Sequence, residues 1–223
     1  MAKLNGNQLK LIAMVTMTID HIGCFLFPSV LWLRLVGRLA MPIYAYFIAE
    51  GCRYTRNIAK YLATIAVTAL LCQVVSFFVG SLYQCILVTF SLSVGLIVLI
   101  KQAKKCRSPL WWLLLATAIG VVWFVTESLP RLLAGTGFDV DYGFWGVMLP
   151  VILWLMPTKP LKLLAAAGIL FLINGANILF LWALGAVVLL ALYNGQRGKL
   201  KLKWLFYAYY PLHIAVIHLI AML

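Results

Sequence analysis

The chain has 223 residues, of which 65% are hydrophobic and only 10% are charged, and its mean hydropathy is +1.04. A soluble domain carries about 25% charged residues, so this composition excludes a soluble globular protein and indicates an integral membrane protein. The formal net charge of +13 is spread over short loops between apolar segments. This charge therefore indicates the lysine and arginine enrichment of cytoplasmic loops, and we expect no nucleic-acid partner.

Nine apolar segments are long enough, or nearly so, to cross the hydrocarbon core of a bilayer, which takes about 20 residues. In chain order they cover about residues 9–27, 31–50, 59–80, 84–101, 109–127, 141–157, 160–174, 177–193 and 203–222. The seventh is short and is separated from the eighth only by residues 174–177, so eight crossings are the alternative. We predict an all-α, polytopic transmembrane bundle that forms one membrane domain over residues 1–223.

The basic residues favour nine crossings, with the N-terminus in the cytoplasm and the C-terminus outside. Under that topology, of the 18 lysines and arginines only Arg34, Arg38 and Arg131 fall on the outer side. Eight crossings would place the basic 197–203 loop outside, against the positive-inside rule. We therefore predict a multi-pass membrane protein, with the lipid bilayer as its first partner.

Asp20 and His21 lie in the middle of the first segment, and Arg34 and Arg38 lie one helical turn apart in the second. Ionisable groups at bilayer depth are energetically expensive and usually mark a functional site. Successive residues of a helix point about 100° apart, so Asp20 is as suited to pair with an arginine as with His21. We expect these four residues to form a buried polar network.

Further polar residues lie in the second, sixth and last segments. Glu50, Arg53 and Arg56 close the second segment on the cytoplasmic side, and Asp141 with Tyr142 marks the outer entry of the sixth. Arg53 and Arg56, taken alone, also fit the role of topological anchors.

Tyr210 and His213 flank Pro211 in the last segment. The proline leaves a backbone carbonyl unbonded four residues back, so a purely structural role near that carbonyl is an alternative for His213. A histidine at bilayer depth also fits a functional group.

Motifs of soluble enzymes are absent from the sequence. There is no HExxH, no CxxC and no nucleophile elbow, and the lone GxG at Gly135–Gly137 has little specificity. The five cysteines show no metal-ligand spacing, so we expect them to pack as small apolar residues and expect no metal.

Several of these stretches resemble the TraX family of membrane proteins, named for a factor that N-acetylates conjugative pilin. The matching stretches, in the family's order, are Leu9–Gly23 (LKLIAMVTMTIDHIG), Arg34–Tyr46 (RLVGRLAMPIYAY), Glu50-Gly51, Thr55-Arg56-Asn57, Tyr61, Asp141-Tyr142-Gly143 and Phe206–His213 (FYAYYPLH). The likeness covers most of the chain, and it implies a multi-pass protein of the bacterial cytoplasmic (inner) membrane. It implies a membrane-embedded acyltransferase, distantly similar to transmembrane acyltransferases that carry an essential histidine in their first span, onto which His21 maps.

The resemblance implies acetyl-CoA as the acyl donor and an amine or hydroxyl acceptor, which is a pilin-like protein, a glycan or a lipid. We expect His21, with Asp20 and His213, to carry the chemistry, because histidine titrates near neutral pH and suits a general base. The expected donor- and substrate-binding residues are Arg34, Arg38, Glu50, Arg53, Arg56, Asp141, Tyr142 and Tyr210. The alternative function is a proton-coupled transporter or flippase of a small polar or lipid-linked substrate, since buried histidine, aspartate and arginine also serve transport.

Overall fold

The computed structural model describes residues 3–200 and 202–221, and these form helices with no strand of a β-sheet. Lys201 and the last residue of the ninth predicted segment lie outside the described residues. The helices are α1 (Gly6–Phe25), α2 (Leu31–Gly37), α3 (Ala40–Tyr54), α4 (Ile58–Phe78), α5 (Ile86–Cys106), α6 (Pro109–Trp123), a π-helical turn (Phe124–Ser128), α7 (Leu129–Leu132), α8 (Gly143–Leu155), α9 (Lys159–Asn174), α10 (Ile178–Ala191) and α11 (Lys203–Ala221). The all-α prediction is confirmed for this part of the chain.

Side-chain caps set the starts of several helices. Asn5 and Gln8 form a capping box at the start of α1, each side chain accepting from the other's backbone N–H. Asn57 accepts from the N–H of Lys60 at the start of α4, and Asn177 accepts from the first turn of α10. Such caps satisfy N–H groups that have no partner inside the helix, and each contributes about 1 kcal/mol.

The second predicted segment is divided into two helices, α2 and α3, by a break at Arg38 and Leu39. Pro42 lies in the first turn of α3 and has no N–H, so it cannot bond to the carbonyl of Arg38, and its ring crowds that carbonyl. The proline is therefore the physical reason for the break.

A second irregularity, the π-helical turn Phe124–Ser128, follows α6. The N–H of Leu129 bonds to the carbonyl of Phe124, five residues back, and Pro130 comes directly after it. Because Pro130 has no N–H, the hydrogen-bond ladder cannot continue unchanged past it. The turn orients Glu127 so that its Oε1 accepts from the N–H of Phe144 at 3.0 Å, at the start of α8.

The chain divides into two compact units, with the boundary inside α3. Unit 1 is the chain up to Phe47 together with the chain from Met156 onward, and unit 2 is Ile48–Leu155. In unit 1, α1 packs on α2 and α11, and α10 packs on α2 and α9. In unit 2, α5 is the central helix and contacts α4, α6 and α8.

Four helical stretches of the described residues are long and apolar enough to cross a membrane: Leu31–Tyr54, Ile58–Phe78, Ile86–Cys106 and Pro109–Leu132. The apolar helices Gly143–Leu155, Ile178–Ala191 and Ala208–Ala221 are shorter. Large apolar side chains stand exposed on α4 and α6, as expected of surfaces that contact lipid. The protein is thus a membrane protein by helix length and composition. Its nine crossings, its orientation and the single domain stay predictions.

Candidate active site

Two histidines from opposite ends of the chain meet in unit 1. His21 in α1 and His213 in α11 are joined by a hydrogen bond of 2.7 Å between His21 Nδ1 and His213 Nε2. Their ring centroids lie 4.9 Å apart, and the rings are tilted by 31°. His213 is buried, whereas His21 is only partly buried. The packing of α1 against α11 therefore brings together two of the three residues predicted to carry chemistry.

The backbone of α11 orients the imidazole of His213. Its Nδ1 lies 2.9 Å from the carbonyl oxygen of Tyr209, and a carbonyl only accepts, so Nδ1 carries the proton. The ring also stacks on the Tyr209 ring, with centroids 5.1 Å apart and planes 9° apart. The carbonyl that Pro211 leaves unbonded belongs to the residue at position 207, so His213 does not serve the carbonyl that motivated the structural alternative.

These bonds assign one direction to the histidine pair when both rings are neutral. Because His213 Nδ1 donates to Tyr209, His213 Nε2 has a lone pair and accepts from the Nδ1–H of His21. The remaining nitrogen of His21, Nε2, then has a lone pair, and no described residue donates a hydrogen bond to it. His21 Nε2 is thus the nitrogen available to accept a proton from a substrate.

Tyr209 is itself fixed by α1. Thr18 Oγ1 donates to the carbonyl of Met14 at 2.9 Å, which uses its only proton. The Tyr209 hydroxyl, 2.7 Å from Thr18 Oγ1, therefore donates to it. Tyr210 adds an edge-to-face contact with each imidazole, at 6.2 Å from His21 and 5.3 Å from His213 between ring centroids. Both tyrosines thus hold the histidine pair in place.

Asp20 points toward α2, away from the histidine pair. Its Oδ2 pairs with Arg34 Nη1 at 2.9 Å, and the two side chains are 16% and 31% exposed. A Cβ on Gly37 would overlap the Cβ, Cγ and Oδ1 of Asp20, so only glycine leaves room for this carboxylate. Asp20 Oδ1 is buried and has no hydrogen-bond partner among the described residues. Arg38 ends α2, where its N–H bonds to the carbonyls of Leu35 and Val36.

The other predicted site residues belong to unit 2. Arg53 Nη2 donates to the carbonyl of Trp154 at 2.8 Å, near the end of α8. Glu50 is partly buried in the last part of α3, and Arg56 is exposed.

Asp141 and Tyr142 directly precede α8, which is about 20 Å long. They therefore lie at the end of α8 that is opposite to Arg53. Asp141 Oδ1 accepts from the Tyr83 hydroxyl at 2.6 Å. Burial and the neighbouring Asp141 carboxylate raise the pKa of Tyr83, so its hydroxyl keeps the proton that it donates. Tyr142 has a φ of 62°, a conformation that is strained for a non-glycine residue.

Lys10 is a residue of unit 1 that the sequence analysis did not select as a site residue. It precedes His21 by eleven residues, which is close to three helical turns, so both side chains lie on one face of α1, about 16 Å apart. Lys10 Nζ lies over the rings of Phe47 and Phe206, at 4.8 and 5.6 Å from their centroids. The loop that carries Arg197 bonds to the start of α1 through the Asn7 N–H at 3.0 Å. The sequence did contain a signal for Lys10, because it is a lysine inside a predicted crossing and three helical turns from a histidine at bilayer depth.

These features define a helical membrane protein with a paired histidine site between its first and last helices. A family model described as TraX protein matches residues 5–221, so the chain belongs to the TraX family. It is 27% identical over 94% of its length to a protein of Dichelobacter nodosus named "Probable fimbrial assembly protein FimC, serogroup H1", of which it covers 93%. An uncharacterised protein of Rickettsia prowazekii (strain Madrid E) is 49% identical over a stretch that covers 18% of this chain and 16% of the Rickettsia protein. No solved structure matches.

Proposed function

We propose that this protein is a membrane-embedded acyltransferase that moves an acetyl group from acetyl-CoA to an amine or hydroxyl of a membrane-bound or extracytoplasmic acceptor. The observation that carries the proposal is the hydrogen-bonded pair of His21 and His213, which leaves His21 Nε2 able to accept a proton. The location is the bacterial inner membrane, with the N-terminus in the cytoplasm, the C-terminus outside and nine crossings.

In the proposed reaction, His21 Nε2 takes the proton of the acceptor amine or hydroxyl as this group attacks the thioester carbonyl. The imidazolium that forms keeps its Nδ1–H bonded to His213 Nε2, so His213 shares the positive charge. When the carbon–sulfur bond breaks, the CoA thiolate leaves, and His21 returns the proton to it. The products are the acetylated acceptor and CoA, and His21 is again neutral.

The Asp20–Arg34 pair supports this reaction from the position next to His21 in α1. Asp20 is the residue directly before His21, so its ion pair with Arg34 fixes the backbone that carries the base. Because Asp20 pairs with Arg34 rather than with His21, its role is to position α1 against α2. Arg34, at 31% exposure, keeps part of its guanidinium available to an anionic substrate group.

Two basic regions are candidates for binding the donor phosphates. One contains Arg53 and Arg56 in unit 2, where Arg53 already donates to the end of α8. The other contains Lys10 in unit 1, on the same helix face as His21. Lys10 is favoured, because a flexible arm that starts at its ammonium and follows α1 arrives at His21 after about 16 Å.

The fimbrial name of the Dichelobacter relative supports a pilin-like acceptor for this chain as well. A glycan or lipid acceptor stays the alternative, since the proposed base serves amines and hydroxyls equally. Identification of acetylated material in membranes with and without the protein would distinguish these acceptors.

The second candidate function is a proton-coupled transporter or flippase. The break between α2 and α3, next to the Asp20–Arg34 pair, favours it, since interrupted helices often line transport sites. Consumption of acetyl-CoA by the purified protein separates the two functions, because a transporter would leave the thioester intact.

The direct test of donor binding uses purified protein in lipid nanodiscs. We expect Lys10→Ala to weaken CoA binding, measured by calorimetry, about tenfold or more, and Lys199→Ala, a matched loop control, to leave it unchanged. Arg53→Ala with Arg56→Ala is the comparison for the unit 2 site. If only the double variant weakens binding, the donor site is in unit 2; if neither variant does, CoA binds at neither basic region. If the wild-type protein does not bind CoA, the acetyl-CoA proposal is wrong.

A further inference from the structure

Two buried cysteines of unit 2 lie against each other where α4 ends and α5 begins. Cys72 is in the last third of α4 and is 2% exposed, and Cys85 immediately precedes α5 and is 7% exposed. Their thiols lie close enough together to interact with one another. Sulfurs in such contact belong to residues whose backbones are close to the spacing that a disulfide requires.

The side chain of Gln73 fixes the backbone beside this pair. Its Oε1 accepts from the N–H of Cys85 at 3.0 Å, and its Nε2 donates to the carbonyl of Tyr83 at 3.1 Å. Residues 83–85 are thus held against the turn of α4 that carries Cys72.

Residues 83–85 in turn hold the segment that carries Asp141. The N–H of Gln84 donates to the carbonyl of Asp139 at 2.7 Å, and the N–H of Asp141 donates to the carbonyl of Gln84 at 3.0 Å. The hydroxyl of Tyr83 adds its bond to the Asp141 carboxylate. Whatever fixes Cys85 to α4 therefore also fixes the strained stretch at Asp141 and Tyr142.

We propose that Cys72 and Cys85 form a disulfide bond that secures residues 83–85, and through them the Asp141–Tyr142 segment, to α4. In the topology proposed above this end of unit 2 lies on the extracytoplasmic side, where disulfides persist. The oxidant is a disulfide-bearing partner of that compartment. The thiolate of one cysteine attacks the partner's disulfide and releases one partner thiol. The other cysteine then displaces the second, so two thiols are oxidised and one partner disulfide is reduced.

The test counts reactive thiols in membranes isolated from aerobically grown cells. The protein is denatured and treated with a mass-tagged maleimide, with and without prior reduction. Of the five cysteines, we expect three to react before reduction and all five after it. Peptide mass spectrometry of the unreduced sample should identify the Cys72–Cys85 crosslink.

Two variants make the count specific. In Cys72→Ser, all remaining cysteines should react without reduction. In the matched control Cys24→Ser, which removes an exposed cysteine, two should react before reduction and four after it. If wild-type protein reacts at all five cysteines before reduction, or if a different pair is crosslinked, the proposal is wrong. The wild-type thiol count decides the question even if the Cys72→Ser variant fails to accumulate.

The structural consequence has its own readout. Reduction of the wild-type protein should accelerate backbone hydrogen exchange at residues 139–143 at least severalfold, whereas the His21–His213 helices should be unaffected. If exchange at residues 139–143 is the same in both redox states, the disulfide does not secure this segment. Neither measurement depends on acyl transfer, so failure of the disulfide proposal can be distinguished from failure of the proposed enzymatic function.

Discussion

At the residue scale, the roles proposed for the two histidines rest on their hydrogen bonds. His213 is held on both sides, by the Tyr209 carbonyl and by His21, whereas His21 Nε2 is left to a substrate. Sequence inspection placed both histidines at bilayer depth. It could not pair them, because they are 192 positions apart and their contact depends on how α1 packs on α11.

The geometry of the pair predicts that His213 acts only by accepting the hydrogen bond from His21 Nδ1–H, without being ionised itself. In His213→Gln, the side-chain oxygen can replace Nε2 as the acceptor of the His21 Nδ1–H, so kcat should fall by about tenfold or less. In His213→Leu, the tautomer of His21 is no longer fixed, and kcat should fall about 100-fold or more, with KM for the donor little changed. Equal loss in both variants would mean that His213 itself exchanges protons with the substrate.

The Asp20–Arg34 pair makes a second prediction. Arg34→Leu leaves a largely buried carboxylate without its partner and should lower the free energy of unfolding by about 1 to 3 kcal/mol, given the partial exposure of Arg34. Asp20→Asn in the same chain removes the stranded charge and should recover most of that loss in a thermal unfolding assay. A double variant that is no more stable than Arg34→Leu would show that Asp20 has another principal partner.

At the scale of the helices, each of the nine apolar segments identified in the sequence overlaps at least one helix of the structure. The apolar character and length of the segments were sufficient for this. The break between α2 and α3 was missed, although Pro42 was visible, because helices in membranes often continue past an internal proline. The π-helical turn was missed because it depends on how the chain accommodates Pro130.

The approach of α1 to α2 at Gly37 is open to test. Gly37→Ala places a methyl group where Asp20 lies, so we expect the free energy of unfolding to fall by about 1 to 3 kcal/mol and acyl transfer to fall with it. Gly95→Ala in α5 is the matched control, since no atom lies within 4 Å of its added Cβ. That change should be neutral or slightly stabilising. Equal melting temperatures for the two variants would contradict the close contact.

At the scale of the whole molecule, charge is segregated along unit 2. Lys101 and Lys104 lie over Trp154 at one end, each 5.6 Å from the ring centroid, and Lys101 also donates to the Cys52 carbonyl. Asp139 and Asp141 lie at the other end of α8. The sequence suggested this polarity through the positive-inside rule, and the packing of α5 on α8 gathers the charges at separate ends.

The proposed topology predicts which side of the membrane each end faces. Ser29→Cys, in the exposed loop after α1, should react with a membrane-impermeant maleimide in intact spheroplasts. Cys106, exposed at the end of α5, should react only after lysis, and Cys106→Ser provides its control. The opposite pattern would invert the protein. Reaction of both sites from outside would change the number of crossings between them.

The measurement that most directly tests the central claim is acetyl transfer by purified His21→Ala protein. Wild-type protein in nanodiscs is supplied with radiolabelled acetyl-CoA and membrane extract as the source of acceptor, and both CoA release and label transfer are followed. We predict that His21→Ala inserts, melts and binds CoA like the wild type, yet loses transfer by about 100-fold or more, because no base accepts the acceptor's proton. Wild-type rates of transfer in correctly folded His21→Ala would contradict the assignment of His21 as the base.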